Sequence, residues 1–312
     1  MSKPSFIISF DCEGKWGLAD HLTDEHQALL TRENLSGVYS RLNTLLEKWE
    51  IRATFAFVGA LMLSSDQFHA HPEWFHDVTV DGSNWLDSFR AEAGEKQYDG
   101  WFHPEIADVI ADSPLWHELA AHGFSHLPLS EKLISKQCFD REMHSFSQAA
   151  ALLGRVFRTL VYPRNAIGFQ DELKNHGFIG YRKALYQRPS RLKNILREFH
   201  VLDRAQADGV FDRGIVAVPS GHFLNWRRNA RKKVPVAVTL RRWRHMLDNA
   251  VRNNGVVHLW SHPHNFITCP SQFKVFEEIL KHAAKHVKNG AMLNKTMEQY
   301  CDDIVATARG LG

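Results

Sequence analysis

Phe6-Ile7-Ile8-Ser9-Phe10-Asp11-Cys12-Glu13-Gly14 sets a nearly unbroken apolar run directly before two acids and a glycine. A short run of this kind reads as a buried strand. Side chains alternate across a strand, so Asp11 and Glu13 leave its end on one side while Cys12 points to the other. Six further runs of strand length occur near 53–58, 117–121, 158–162, 178–183, 215–218 and 255–260. Helical spacing fills the gaps between them. Leu35, Val38, Leu42, Leu45, Leu46 and Trp49 form one such stripe, closing a β-α-β unit with the strand that starts near Ala53. Ser130-Glu131 starts a second helix that carries Leu133, Phe139, Phe146 and Leu152 and ends at Gly154, and a third runs from Ser271 to Val287. Strands alternating with helices predict an α/β protein built on a parallel sheet with right-handed connections. Periodicity alone does not separate a barrel from an open, doubly wound sheet.

The chemistry-bearing residues cluster at the ends of these strands, where parallel sheets collect their active sites. About 110 residues after the acids comes His122-Gly123-Phe124-Ser125-His126, with two histidines at the spacing that shares one face of a helical turn. Glu13, His122 and His126 would give a divalent metal three protein ligands and leave positions open for water and substrate. With 19 histidines in 312 residues such a pair arises readily by chance; its weight comes from two further clusters in equivalent places. Those are Tyr162-Pro163-Arg164-Asn165 and His258-Leu259-Trp260-Ser261-His262-Pro263-His264.

The hydrophobic content, 44%, suffices for a sizeable core, and no Gly-, Pro- or Ser-rich stretch divides the chain, so residues 1–312 read as one domain. Met1-Ser2-Lys3-Pro4 passes straight into the first strand with no leader pattern, and no apolar run approaches the length of a membrane span. Cys12, Cys138, Cys269 and Cys301 show no paired spacing. A reduced, cytoplasmic setting is expected. Net charge is +3, but Arg227, Arg228, Arg231, Lys232, Lys233, Arg241, Arg242 and Arg244 occur with no acid among them. Such a stretch fits a pyrophosphate, an anionic glycan, peripheral contact with an acidic membrane, or a plain solvated face. Nothing resembles a groove-reading or base-stacking module, which argues against nucleic acid.

The order of motifs resembles the polysaccharide deacetylase family, also called the NodB-homology or carbohydrate esterase family 4 group. The acidic pair appears here in the variant form Asp11-x-Glu13, the histidine pair as His122 and His126, and the family's Leu-x-x-His as Leu259-Trp260-Ser261-His262. Ala53-Thr54-Phe55-Ala56-Phe57-Val58 is similar to the family's second strand, and the likeness covers about residues 5 to 265. It implies a distorted (β/α)7 barrel, with Glu13, His122 and His126 holding the metal. Zinc is favoured there, with cobalt, nickel, iron(II) and manganese also compatible. It further implies Asp11 as the base for the attacking water, His262 as the acid for the leaving group, and a motif arginine that orients the base. That arginine is Arg164, with Arg158 as its rival. The family's aspartate–tryptophan pair beside the acid histidine has no counterpart here; Trp226 and Trp243 are the available stand-ins.

The resemblance implies a metal-dependent hydrolase that removes an N-acetyl group from an amino sugar of a glycan or glycan precursor, with phosphorylated and lipid-linked precursors among the candidate substrates. A sugar deformylase, an O-deacetylase and a non-catalytic glycan binder on the same fold are the alternatives. Two histidines and a carboxylate also describe an iron(II) oxygenase, but its jelly-roll scaffold does not suit a chain with this much helical pattern.

Overall fold

The computed structural model describes residues 3–184, 206–227 and 229–310. Ten strands make one sheet: Ser5–Cys12 (β1), Thr54–Phe57 (β2), Glu118–Ala121 (β3), Thr159–Leu160 (β4), Gly180–Arg182 (β5), Val210–Asp212 (β6), Ile215–Val218 (β7), His222–Phe223 (β8), Val256–Ser261 (β9) and Leu293–Lys295 (β10). The seven predicted strands are β1 to β5, β7 and β9. The other three, of two or three residues each, lie outside the predicted runs. Their order is β8-β9-β1-β2-β3-β4-β5-β7-β6, with β10 added beside β1. Neighbours are parallel except in the β6–β7 hairpin.

The sheet is strongly curled. Strands β1 and β5 have three strands between them, which in a flat sheet would separate them by about 19 Å. Yet Arg182 on β5 meets Asp11 on β1 at 2.7 Å. The result is the expected distorted barrel. Among the described residues its edge strands β8 and β6 do not pair; a lone antiparallel bridge ties Gln206, ahead of β6, to Val256 on β9.

Helices Arg32–Trp49 (α1), Lys136–Leu152 (α2), Val236–Asn253 (α3) and Ser271–Lys288 (α4) cover the outside. Phe6, Ile8, Phe10 and Cys12 of β1 face this layer and join the main core, with Phe10 against Phe55 and Phe276. Helix α2 starts later than Ser130. Its cap is Ser135, whose hydroxyl accepts from the Cys138 N–H, and the preceding residues bring the chain from the histidine pair to the helix. The basic stretch does not form one face. Arg227 folds back onto the carbonyls of Val234 and Lys232, Arg242 is buried, Arg244 pairs with Glu278, and Arg228 lies outside the described residues. Among the described residues no helix is long and apolar enough to cross a membrane.

The barrel interior divides in two. On one side, Ile7, Ala56, Ala120, Val161, Val216 and Val256 pack with Met297, Tyr300 and Cys301 of the last helix, Met297–Gly310 (α5). The approach is close: a Cβ on Gly180 would lie 2.2 Å from the Cys301 sulfur. This packing forms an apolar plug inside the barrel. Glu118 fastens it, accepting from the hydroxyls of Thr54 and Thr159 and from the Glu298 N–H at the start of α5.

Burial outweighs those donors and lifts the Glu118 pKa from 4.5 to about 7. The folded chain keeps this proton where the unfolded chain has released it, so the contribution of Glu118 to stability falls as pH rises from 4.5 to about 7. Glu118→Gln cannot ionise. Its unfolding free energy relative to wild type is expected to shift in its favour as pH rises through that window, measured by denaturant titration; a difference independent of pH contradicts the assignment.

Candidate active site and metal centre

On β1, Ser9 and Asp11 point inward, opposite to Phe10 and Cys12, as alternation requires. Glu13 follows the strand end, buried, and its side chain caps no backbone N–H of the short helical turn after it. Two glycines permit this path. Gly14 turns with φ +54°, and a Cβ on Gly17 would lie 2.2 Å from a Glu13 carboxylate oxygen. Trp16 then anchors the segment, its indole N–H donating to the Trp101 carbonyl at 2.7 Å inside an aromatic cluster.

His122 and His126 follow β3, but not on a helical turn as their spacing predicts. They flank a loop in which Gly123 and His126 both have positive φ, 72° and 63°. Glu142 on α2 shapes that loop, its carboxylate accepting from the N–H groups of Phe124 and Ser125 and from the Ser125 hydroxyl at 2.7–2.9 Å. The loop's carbonyls are held in turn by the N–H groups of Gly59 and Ala60.

Glu13, His122 and His126 converge. The two Nε2 atoms lie 3.2 and 3.1 Å from Glu13 Oε1. Ligands about 2.1 Å from a tetrahedral metal stand about 3.4 Å from one another, close to this spacing. Tautomers support the same conclusion. The Val161 carbonyl can only accept, so His122 Nδ1 donates to it at 2.7 Å, and in the neutral ring Nε2 keeps a lone pair aimed at a carboxylate. Both ring nitrogens of buried His126 lack a hydrogen bond. Burial raises the Glu13 pKa, but the surrounding histidines outweigh it and leave the carboxyl well below its usual range. One carboxylate converging with two imidazoles is a donor set suited to a divalent metal.

Asp11 sits two residues before Glu13 in a different environment. Both its oxygens accept from the Arg182 guanidinium at 2.7 Å, with both side chains almost fully buried. Burial raises the Asp11 pKa, and Arg182 more than reverses that, so the net shift is downward. Arg182 is supported in turn. It donates to Ser9 Oγ at 3.0 Å and to Asn165 Oδ1 at 3.4 Å, and its guanidinium lies over the Trp260 ring. Ser9 passes its own hydroxyl proton toward His258 Nε2 at 2.8 Å, while His258 Nδ1 donates to the Pro219 carbonyl. Burial and Arg182 hold His258 neutral, with a pKa of about 3.

His262 arrives from the end of β9, with Nε2 3.4 Å from Glu13 Oε1 and 3.9 Å from Asp11 Oδ2. Burial lowers its pKa, but the two carboxylates outweigh burial and raise it. His264 stacks on His262 at 5.0 Å, and Phe223 and Trp260 wall its other sides. Trp243 packs toward His222 instead, and Trp226 toward His264. Asp11, Glu13 and His262 form an alternative ligand group. Arg182 already occupies both Asp11 oxygens, which makes Glu13, His122 and His126 the better set.

The arginine differs from the motif-based expectation. Arg164 does not reach Asp11; it forks onto Asp20 and lies over the Trp85 ring at the rim. Arg158 is farther away, paired with Glu298 and Asp302 at the plug. Arg182, which motif order does not single out, had a signal: it stands in the strand predicted over 178–183, beside Lys183, and is the buried one of the two.

No protein-family model matches this chain, and no curated protein matches it. Solved structures do. A protein assigned as a polysaccharide deacetylase from Mycobacterium smegmatis superposes with a TM-score of 0.60 at 16% identity, covering 99% of this chain and 92% of its own. An allantoinase superposes at 0.55 and 12%, covering 97% and 90%. A protein assigned as a polysaccharide deacetylase from Pseudomonas aeruginosa PAO1 gives 0.52 and 12%, covering 96% and 89%. At these identities the shared property is the fold, and the chain has the fold of the polysaccharide deacetylases, of the NodB and carbohydrate esterase 4 type.

Glu142 holds the histidine loop without touching the ligand cluster. Glu142→Ala is expected to weaken zinc binding by about 10–100-fold in a chelator-competition titration. Unchanged affinity would show that the loop keeps its shape without it.

Proposed function

We propose that residues 1–312 form one metal-dependent catalytic domain that hydrolyses an acyl group, N-acetyl first, from an amino sugar of a glycan or glycan precursor. One observation carries the reading: Glu13, His122 and His126 converge at the open end of the barrel beside Asp11, held ionised by Arg182, and beside His262. A divalent metal on the first three, with zinc favoured by the two imidazoles, would supply Lewis acidity that acidifies a water and polarises the acyl carbonyl.

The chain's own residues provide the proton transfers. Asp11 takes a proton from the attacking water. Its depressed pKa makes it a weak base, suited to a water that a metal held by Glu13, His122 and His126 would acidify. His262, 3.9 Å from Asp11 and facing the same opening, gives a proton to the departing nitrogen. The two environments thus move the base and the acid in opposite directions, which separates their roles near neutral pH. Arg182 fixes both Asp11 oxygens in plane and acts on the reaction only through Asp11. We assign to Arg182 the orienting role that motif order gives to Arg164.

The neighbours named as polysaccharide deacetylases support an acylated sugar as substrate. The same fold also carries an allantoinase, so substrate choice rests on the rim of the site and not on the barrel. Formamido and O-acetyl sugars present the same carbonyl chemistry and differ in the acyl pocket they need.

Zinc-loaded protein is expected to release acetate from oligomers of N-acetylated amino sugars, with N-formyl and O-acetyl counterparts run in parallel. Asp11→Asn should lower turnover by about 10²–10⁴-fold while zinc content stays unchanged. Arg182→Lys, which cannot form the two-pronged contact, should also lower turnover, whereas Arg164→Lys should not. Full activity in Asp11→Asn refutes the base; loss in Arg164→Lys with none in Arg182→Lys reverses the arginine assignment.

A further inference from the structure

Outside the barrel, α3 and α4 pack side by side and run in the same direction, since the contacts Arg244–Glu278 and Asp248–His282 advance together along both helices. His282 and His286 lie one turn apart on α4, with ring centroids 5.0 Å apart. Both direct Nε2 at a single atom, Asp248 Oδ1 on α3, at 2.8 Å each. The three ligand atoms come from regular helices, so their positions are set by the packing of the barrel wall and not by a loop.

We propose that Asp248, His282 and His286 form a second transition-metal site that clamps α3 to α4. The donor set is chemically the same as that at the mouth of the barrel, two imidazoles and one carboxylate, which favours zinc, cobalt or nickel over magnesium or calcium. Metal bonds of about 2.1 Å would part the ligand atoms to about 3.4 Å, an opening of about half an ångström from the present hydrogen-bonded spacing. The side chains are 45%, 23% and 19% exposed, open enough for an ion to enter and shielded enough to hold the rings in place. Two electrostatic features favour a cation here, against the charge of Lys285 in the last turn of α4; Lys288 there is paired with Glu50. His286 lies in the last turn of α4, where the helix dipole is negative. Arg244, one turn before Asp248, is turned to Glu278. The site stands apart from Glu13, His122 and His126, and its role is to tie two helices together, independent of any reaction at the barrel mouth.

Chelator-stripped protein, reloaded with zinc chloride and desalted, separates the two sites by elemental mass spectrometry. Wild type is expected to retain two equivalents. His286→Gln and Asp248→Asn, chosen to keep a polar group of similar size at each position, should each retain one. His126→Ala should also retain one, and zinc should raise its unfolding temperature; in His126→Ala/His286→Gln both the zinc and that rise should be lost. If only the reading of the barrel mouth is wrong, wild type holds one equivalent, which His126→Ala keeps and His286→Gln loses. The proposal is overturned if His126→Ala retains no zinc, or if both His286→Gln and Asp248→Asn bind as much as wild type.

Discussion

The bidentate pair between Asp11 and Arg182 is the constraint around which the site is arranged. Two charged groups with almost no solvent contact cost several kcal/mol each in desolvation, and only close geometry with further hydrogen bonds offsets this. Both conditions are met, through two 2.7 Å contacts and the support of Ser9 and Asn165. The pair also spans the barrel from β1 to β5, so it can form only when the sheet is curled. The apolar plug of α5 fills the same barrel, and burial with the Arg182 charge keeps His258 neutral beside Ser9.

The same pair gives two neighbouring carboxylates different work. Asp11 and Glu13 leave one strand end on the same side, and alternation makes them geometrically alike. Their partners differ. Asp11 meets a permanent cation, and Glu13 meets three imidazole nitrogens within 3.4 Å. Arg182 engages both Asp11 oxygens, which favours Glu13 over Asp11 as the carboxylate of the proposed metal site. His262 faces both carboxylates, which raise its pKa against burial, and Trp260 and Phe223 supply its apolar walls.

Much of this arrangement is legible in the residues. Long buried strands and strand-end acids obey local rules, and β1 carries its alternation into the fold unchanged. The features that escape a linear reading depend on partners distant in sequence. Glu142 bends the histidine loop away from a helical turn, and nothing within 122–126 announces that carboxylate. Arg182 reaches Asp11 across the barrel, whereas motif order points to Arg164, which pairs with Asp20. The strand 178–183 is plain in the sequence, but a cation at its end gains meaning only once the sheet is known to close on itself. The basic stretch misleads because a run of arginines does not show which of them turns inward, as Arg242 does.

The central claim is that the mouth of this barrel holds a metal on Glu13, His122 and His126 with Asp11 beside it, bound to Arg182. Anomalous diffraction at the zinc edge from zinc-soaked crystals tests it most directly. The account predicts a peak about 2.1 Å from Glu13 Oε1, His122 Nε2 and His126 Nε2, with Asp11 still paired to Arg182. A peak on Asp11 and His262, or no peak at the mouth of the barrel, would contradict it.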